Sequence, residues 1–255
     1  MKHAQFQIFT TYENALHELT SLGIEHPYSI EEQEGLLIGG FFETVPTRDL
    51  KNSILISTQD EIDWDEQLTF SPYYKEGVVE IDLADFSSTN DGNILKLIAG
   101  PGFGDLSHPT TQLMLESLPD VVEGKNVIDI GCGNGILTLA SLLLGAKTAY
   151  GIDIEDEALE HAEKNAELND LPLDLFRKSL NISELDDSVY LINMTLLEQT
   201  EVYKILKPLN ISGLILISGL LEEQKSQFFN HFFSSNYTLI EERVKMGWVS
   251  LLIQT

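Results

Sequence analysis

Val127-Ile128-Asp129-Ile130-Gly131-Cys132-Gly133-Asn134-Gly135 is the stretch that decides the fold. Apolar residues around a single acid read as a buried parallel strand. Three glycines at alternate positions then read as a tight turn that can approach a ligand with no Cβ in the way. Ile136 to Leu144 follows, apolar nearly all round, as a helix buried between a sheet and the rest of a domain should be.

The glycine spacing narrows the ligand. A dinucleotide fingerprint needs G-x-G-x-x-G and a phosphate-binding P-loop needs G-x-x-x-x-G-K-[ST]; this chain has G-x-G-x-G after an acid, with no lysine following. A pyrophosphate cradle is disfavoured. The D-x-G-x-G-x-G pattern resembles the first motif of class I methyltransferases, whose turn packs against S-adenosylmethionine. That resemblance makes Asp129, Gly131, Gly133 and Gly135 cofactor-contacting residues.

Thr148 to Ile154 is a second short apolar run, with Asp153 near its end, about 20 residues past the turn. A doubly wound fold places there the carboxylate that accepts both ribose hydroxyls. Asp153 could instead cap the next helix, although Asp156 is available for that.

At 255 residues the chain is long enough for one α/β domain and a small appendage. No apolar run reaches membrane-spanning length, and Met1 to Thr11 lacks the features of a signal peptide, so a cytoplasmic location is expected. Cys132 is the single cysteine, so neither a disulfide framework nor a metal cluster is expected, and no base is visible in sequence to make it a nucleophile. Forty-one acidic against 15 basic residues give a formal charge of −26. Such a surface repels phosphate backbones, which argues against direct nucleic acid binding, and it favours basic partners; solubility alone is the other reading.

Residues 1 to 58 read as a small α+β unit: a strand over Gln5 to Thr10, a helix over Glu13 to Leu22, and strands within Ser29 to Phe42 and Ser53 to Ser57. Residues 59 to 75 read as a lightly packed linker before a domain over 76 to 255. Val78 to Ala84 and Ile94 to Ile98 read as strands around a Ser-Thr-Asn-Asp-Gly turn. The loop Gly100 to Thr111 leads into a helix over Gln112 to Leu118 and forms an anion seat at its N-terminus. There Thr111 is the better candidate for a cofactor contact, whereas His108 serves as a base or holds the loop. Asp156 to Asn169 is a helix with Ala158, Ala162 and Ala166 on one face. Strands at Pro172 to Phe176, Ser188 to Asn193 and Leu214 to Ser218 alternate with helices at Thr200 to Leu206 and Glu222 to Phe233, and a hairpin over Thr238 to Ile253 closes the chain. Asn193, at a strand's carboxyl end, faces the ligand crevice, where its amide can align an amine without protonating it; capping the next helix is its other reading.

Phe103-Gly-x-x-x-His-Pro-Thr-Thr111, the stretch 127 to 137, Gly151-Ile-Asp-Ile154, Asn165-Ala-Glu-Leu-Asn169 and Leu216-Ile-Ser-Gly-Leu-Leu-Glu-Glu-Gln224 together resemble the bacterial PrmA family, which methylates amino groups of the large-subunit ribosomal protein L11. The resemblance implies a seven-stranded class I methyltransferase sheet with an antiparallel C-terminal hairpin, and S-adenosyl-L-methionine as cofactor. It places Thr111, Gly131, Asp153 and Asn193 at cofactor-binding positions, with Asn193 also orienting the substrate amine. The N-terminal unit becomes a substrate-recognition domain for a ribosomal protein; the acidic surface adds the expectation that this basic substrate is met free, before RNA covers it, and a monomer is the default expectation. A same-fold methyltransferase for another protein lysine or a small amine, and a catalytically silent cofactor-binding protein, are the alternatives. Two departures stand out: the family's Phe-Gly-Thr-Gly-x-His is Phe103-Gly-Asp-Leu-Ser-His108 here, and its Asn-Ile-Leu is Asn193-Met194-Thr195.

Overall fold

The computed structural model describes residues 2–32, 35–46, 50–59, 63–86, 92–179, 188–206, 213–232 and 237–255. They form two compact units, Met1–Asp63 and Trp64–Thr255.

In the first unit β1 (Lys2–Ile8), α1 (Tyr12–Ser21), β2 (Glu25–Glu32), β3 (Gly35–Phe42) and β4 (Ser53–Gln59) build an antiparallel sheet in the order β2-β3-β1-β4 with one helix. Period-two alternation sends Ala4, Phe6, Ile38 and Phe42 to the same side, where they pack with Ala15 and Leu19 of α1. Thr11 starts the helix by accepting from the Asn14 amide. β1 begins earlier than the sequence suggests, and Glu25 to Phe42 divides into two paired strands.

Where a loose linker was expected, α2 (Trp64–Leu68) and β5 (Tyr74–Lys75) form, and Leu68 is buried in the core of the second unit. β5 pairs with β6 (Val78–Asp82), which pairs with β7 (Ile94–Leu97). The Ser-Thr-Asn-Asp-Gly turn between them lies outside the described residues except for Gly92.

Next come α3 (Pro109–Ser117), β8 (Asn126–Ile130), α4 (Ile136–Leu143), β9 (Thr148–Ile152), α5 (Asp156–Leu168), β10 (Phe176–Arg177), β11 (Ser188–Asn193), α6 (Leu196–Leu206), β12 (Gly213–Leu221), α7 (Lys225–Phe232), β13 (Thr238–Lys245) and β14 (Trp248–Gln254). The sheet order is β10-β9-β8-β11-β12-β14-β13, parallel through β12 and antiparallel at β14 and β13. This is the class I methyltransferase arrangement. Alternation along β8 and β11 feeds two cores: Val127, Val189 and Leu191 face α3 to α5, whereas Ile128, Ile130, Tyr190 and Ile192 face α6 and α7.

Several elements start or end away from their expected places; β12, for one, runs on to Leu221, and α7 starts at Lys225 after a 3-10 turn over Glu222–Gln224. The run Pro172 to Phe176 is mostly a 3-10 turn over Leu173–Leu175, and only Phe176–Arg177 joins the sheet. Helix α6 starts a turn earlier than expected because Thr195 and Glu198 cap it reciprocally: the Thr195 amide donates to Glu198 Oε2 at 2.9 Å and the Glu198 amide to Thr195 Oγ1 at 3.5 Å. Helix α3 starts at Pro109 because His108 caps it. At the other end of the chain, Met246 and Gly247 both take positive φ (53° and 83°), the two-residue turn that suits the twist of a β13–β14 hairpin.

Candidate active site

The strand order reverses between β8 and β11, so a crevice opens at their carboxyl ends. The glycine turn lines one side and Asn193 the other. The turn is stitched in place by backbone: Gly131 and Cys132 amides donate to Ile152 O (2.8 and 3.1 Å), and the Asn134 amide donates to Phe103 O (3.0 Å). Gly131 and Gly133 have φ of 73° and 54°. A Cβ on Gly131 would lie 2.2 Å from Met194 Cε, and one on Gly133 2.6 Å from Phe103 O. These glycines let two neighbouring segments close directly onto the turn. Cys132, 5% exposed, is inert, since burial pushes its thiol pKa up.

Asp129 departs from the cofactor-facing role expected of it. Its Oδ2 accepts from the Thr138 amide (3.1 Å) and hydroxyl (2.7 Å), bracing α4 against β8. With the residue 1% exposed, desolvation raises its pKa to about 7 despite those two bonds. Asp153 is half-buried at the end of β9. Its Oδ2 accepts from the Gly133 amide at 2.9 Å and its Oδ1 from the Glu155 amide at 3.1 Å. The N-cap of α5 is Glu155, so capping is not the work of Asp153. Ile154 beside it is 81% exposed, an apolar surface that sequence reasoning passed over.

Asn193 and Thr111 meet although 82 residues apart. The amide nitrogen donates to Thr111 Oγ1 at 3.3 Å, while the amide oxygen is buried without a partner among the described residues. A buried, unsatisfied acceptor in a crevice is a place for a donor from outside the chain. Behind it, Gln199 Nε2 donates to Met194 O (2.7 Å) and Ser218 O (2.9 Å), tying the carboxyl ends of β11 and β12 together. His108 is a loop holder: its Nδ1 accepts from the Thr110 amide, and its ring lies edge-on between Phe103 and Trp248. Burial lowers its pKa, which suits a neutral ring. In the altered loop, Asp105 accepts from the Ser107 amide and Leu106, at φ 66°, is fully buried.

One face of α5 carries a polar ladder. Asn169 exchanges two hydrogen bonds with the Lys96 backbone (2.8 and 2.7 Å), and Asn165 accepts from the Ile98 amide and donates to Asn134 O (both 2.9 Å). His161 accepts from the Gly102 amide through Nδ1 (3.0 Å), so Nε2 carries the proton it gives to Ile98 O (2.9 Å). Three side chains at four-residue spacing thus close the free edge of β7 and hold the loop against the glycine turn. Among the described residues, no cluster of His, Cys, Asp or Glu is arranged to hold a metal ion.

Known proteins agree with this architecture. The family model described as "Ribosomal protein L11 methyltransferase (PrmA)" matches residues 20–255. A ribosomal protein L11 methyltransferase of Streptococcus pyogenes serotype M3 is 28% identical over 208 residues, covering 76% of this chain and 64% of the relative. One from Dictyoglomus thermophilum is 32% identical over 172 residues, covering 65% of this chain and 56% of the relative. The chain therefore spans 64% or less of the length of these relatives. Among solved structures, a ribosomal protein L11 methylase from Lactobacillus delbrueckii subsp. bulgaricus superposes with a TM-score of 0.56 at 28% identity, covering 64% of this chain and 86% of that one. With its family model matched from residue 20 to the last residue, and with the sheet order and glycine turn described above, this chain belongs to the ribosomal protein L11 methyltransferase family.

Proposed function

We propose that this protein transfers methyl groups from S-adenosyl-L-methionine to amino groups, lysine side chain and/or N-terminal amine, of ribosomal protein L11. The observation that carries the reading is the buried, partnerless Oδ1 of Asn193 at the switch point. It can accept one N–H of a neutral amine and leave the lone pair free to point along the crevice.

The residues fit the cofactor. Asp153 stands where ribose hydroxyls would be accepted, Ile154 offers an exposed apolar surface to a base, and Thr111 with Asn193 lines the crevice beside the glycine turn. When bound, S-adenosylmethionine supplies the electrophilic methyl. The protein's part is alignment. A lysine near pKa 10.4 costs about 4 to 5 kcal/mol to hold neutral at pH 7, an α-amine near 8 only about 1, so N-termini are the easier targets. A carboxylate against the amine would keep its proton on; Asp129 is turned to Thr138, and an uncharged amide faces the crevice instead.

The N-terminal unit serves as the recognition domain, and the acidic surface suits a free, basic ribosomal protein met before RNA covers it. A monomer acting in the cytoplasm completes the reading. Intact mass of purified ribosomal protein L11 after incubation with the protein and S-adenosylmethionine tests it. Gains in methyl increments are expected; no gain, with cofactor binding verified by calorimetry, overturns the substrate assignment.

A further inference from the structure

Among the described residues three sheets present six edges, and natural sheets protect such edges because unpaired N–H and C=O groups recruit other strands. Five are visibly protected. β10 and β5 are two residues long. β7 is covered by the Asn165 and Asn169 side chains. β2 contains Pro27 and a register shift next to it. β13 carries Glu241, Glu242, Arg243 and Lys245.

β4 is the exception. Ser53-Ile-Leu-Ile-Ser-Thr-Gln59 has no charge, no proline and no glycine, and it pairs only with β1 among the described residues. Its one irregularity is an extra residue at Ile56 opposite Gln5 and Phe6, and it puts another isoleucine at the edge rather than a charge. Ile54 and Ile56 are 51% and 49% exposed, with Phe9, also exposed, at the end of β1 beside them. The strand is also held ready. Glu18 of α1 accepts from the Lys51 and Asn52 amides at 2.8 and 2.9 Å, and the Phe9 amide donates to Asn52 O, so the entry to β4 is pinned from two sides.

We infer that the open edge of β4 is a docking strand that adds an extended, basic segment of a protein partner to the sheet. Charge chooses the occupant. Met1–Asp63 holds eleven acidic against three basic residues, so a cationic strand is attracted, whereas a second copy of this unit would bring like charge to like. Backbone hydrogen bonds supply affinity, and Ile54, Ile56 and Phe9 supply an apolar rim for alternate side chains. Naming that partner as ribosomal protein L11 rests on the function proposed above.

Hydrogen–deuterium exchange on the full chain, with and without purified ribosomal protein L11, tests the edge. Amides of 53–59 should slow by at least about tenfold on addition. Ile54→Lys and Ile56→Lys, both at exposed positions, should raise the KM for that protein by about tenfold while leaving kcat and cofactor affinity unchanged. Methyl transfer without protection of 53–59 and without a change in KM overturns the edge and spares the activity. Protection without methyl transfer spares the edge and overturns the activity. Slowing that appears with protein concentration alone assigns the edge to a second copy and overturns the inference.

Discussion

Asn193 gives its amide hydrogen to Thr111 Oγ1 across 3.3 Å and keeps its buried oxygen unused. With the nitrogen engaged by the threonine, the oxygen is the end left for substrate. Asn193→Ala should lower kcat by about 10- to 100-fold, a larger factor than the accompanying loss of cofactor affinity. Thr111→Val, which frees the amide to turn, should cost less. Asn193→Asp should move the pH–rate profile to higher pH, since a carboxylate there holds the amine's proton on. Wild-type rates for Asn193→Ala in a single-turnover assay would remove the aligning role.

Asp129 makes stability depend on pH. Its carboxyl titrates near 7 in the fold, above its ordinary value of 3.8. The folded state therefore keeps a proton that the unfolded chain releases at lower pH, and the stability linked to that proton is complete below about pH 4 and lost as pH rises through about 7. Asp129→Asn keeps an oxygen for Thr138 and removes the titration. Denaturant unfolding of both proteins should show the difference shifting in the variant's favour by about 2 to 3 kcal/mol between pH 5 and pH 8. A difference independent of pH would mean that the buried carboxyl titrates elsewhere.

His161→Phe removes the partners of Ile98 O and the Gly102 amide while roughly keeping the ring's volume. Gly102 packs so closely on the glycine turn that a Cβ there would lie 2.6 Å from the Asn134 nitrogen. Loosening this loop should cost about 2 to 4 kcal/mol of stability and weaken cofactor binding by about tenfold, read by thermal unfolding and calorimetry. In the wild type, burial keeps the His161 pKa low, so stability linked to its neutral ring should fade as pH drops below about 6.5.

Gln199→Leu strips the donors from Met194 O and Ser218 O with little change of shape. The ends of β11 and β12 should then drift apart under Asn193. Expected is a drop in kcat of about tenfold with cofactor affinity within about twofold. Equal losses in both would mark Gln199 as a general stabiliser of the fold.

The strand, glycine turn and helix over 127–144 were legible because apolar runs and alternate glycines carry their own local rules. Asp129 was not, because a motif position says nothing about which rotamer a buried acid takes or that Thr138, nine residues on in the first turn of α4, meets it. The ladder on α5 stood in plain view at four-residue spacing, but the alanines on the same helix drew the reading toward packing alone. Asn193 and Thr111 were found as separate residues. Their contact depends on sheet order, which no local pattern encodes. Pro172 to Phe176 looked like a strand because a short apolar run does; Pro172 itself is extended (φ −57°, ψ 142°), and the 3-10 turn begins after it.

Cys132 turns the glycine turn into its own clock. As the single thiol in the chain, buried and held protonated, it can be alkylated only while the turn stands open. The labelling rate of the unmodified protein therefore counts openings of that one backbone segment, with no engineered probe and no background from other thiols. A ligand that keeps the turn closed slows the count in proportion to its occupancy, so the affinity of the site can be read from a stopwatch and a mass spectrometer.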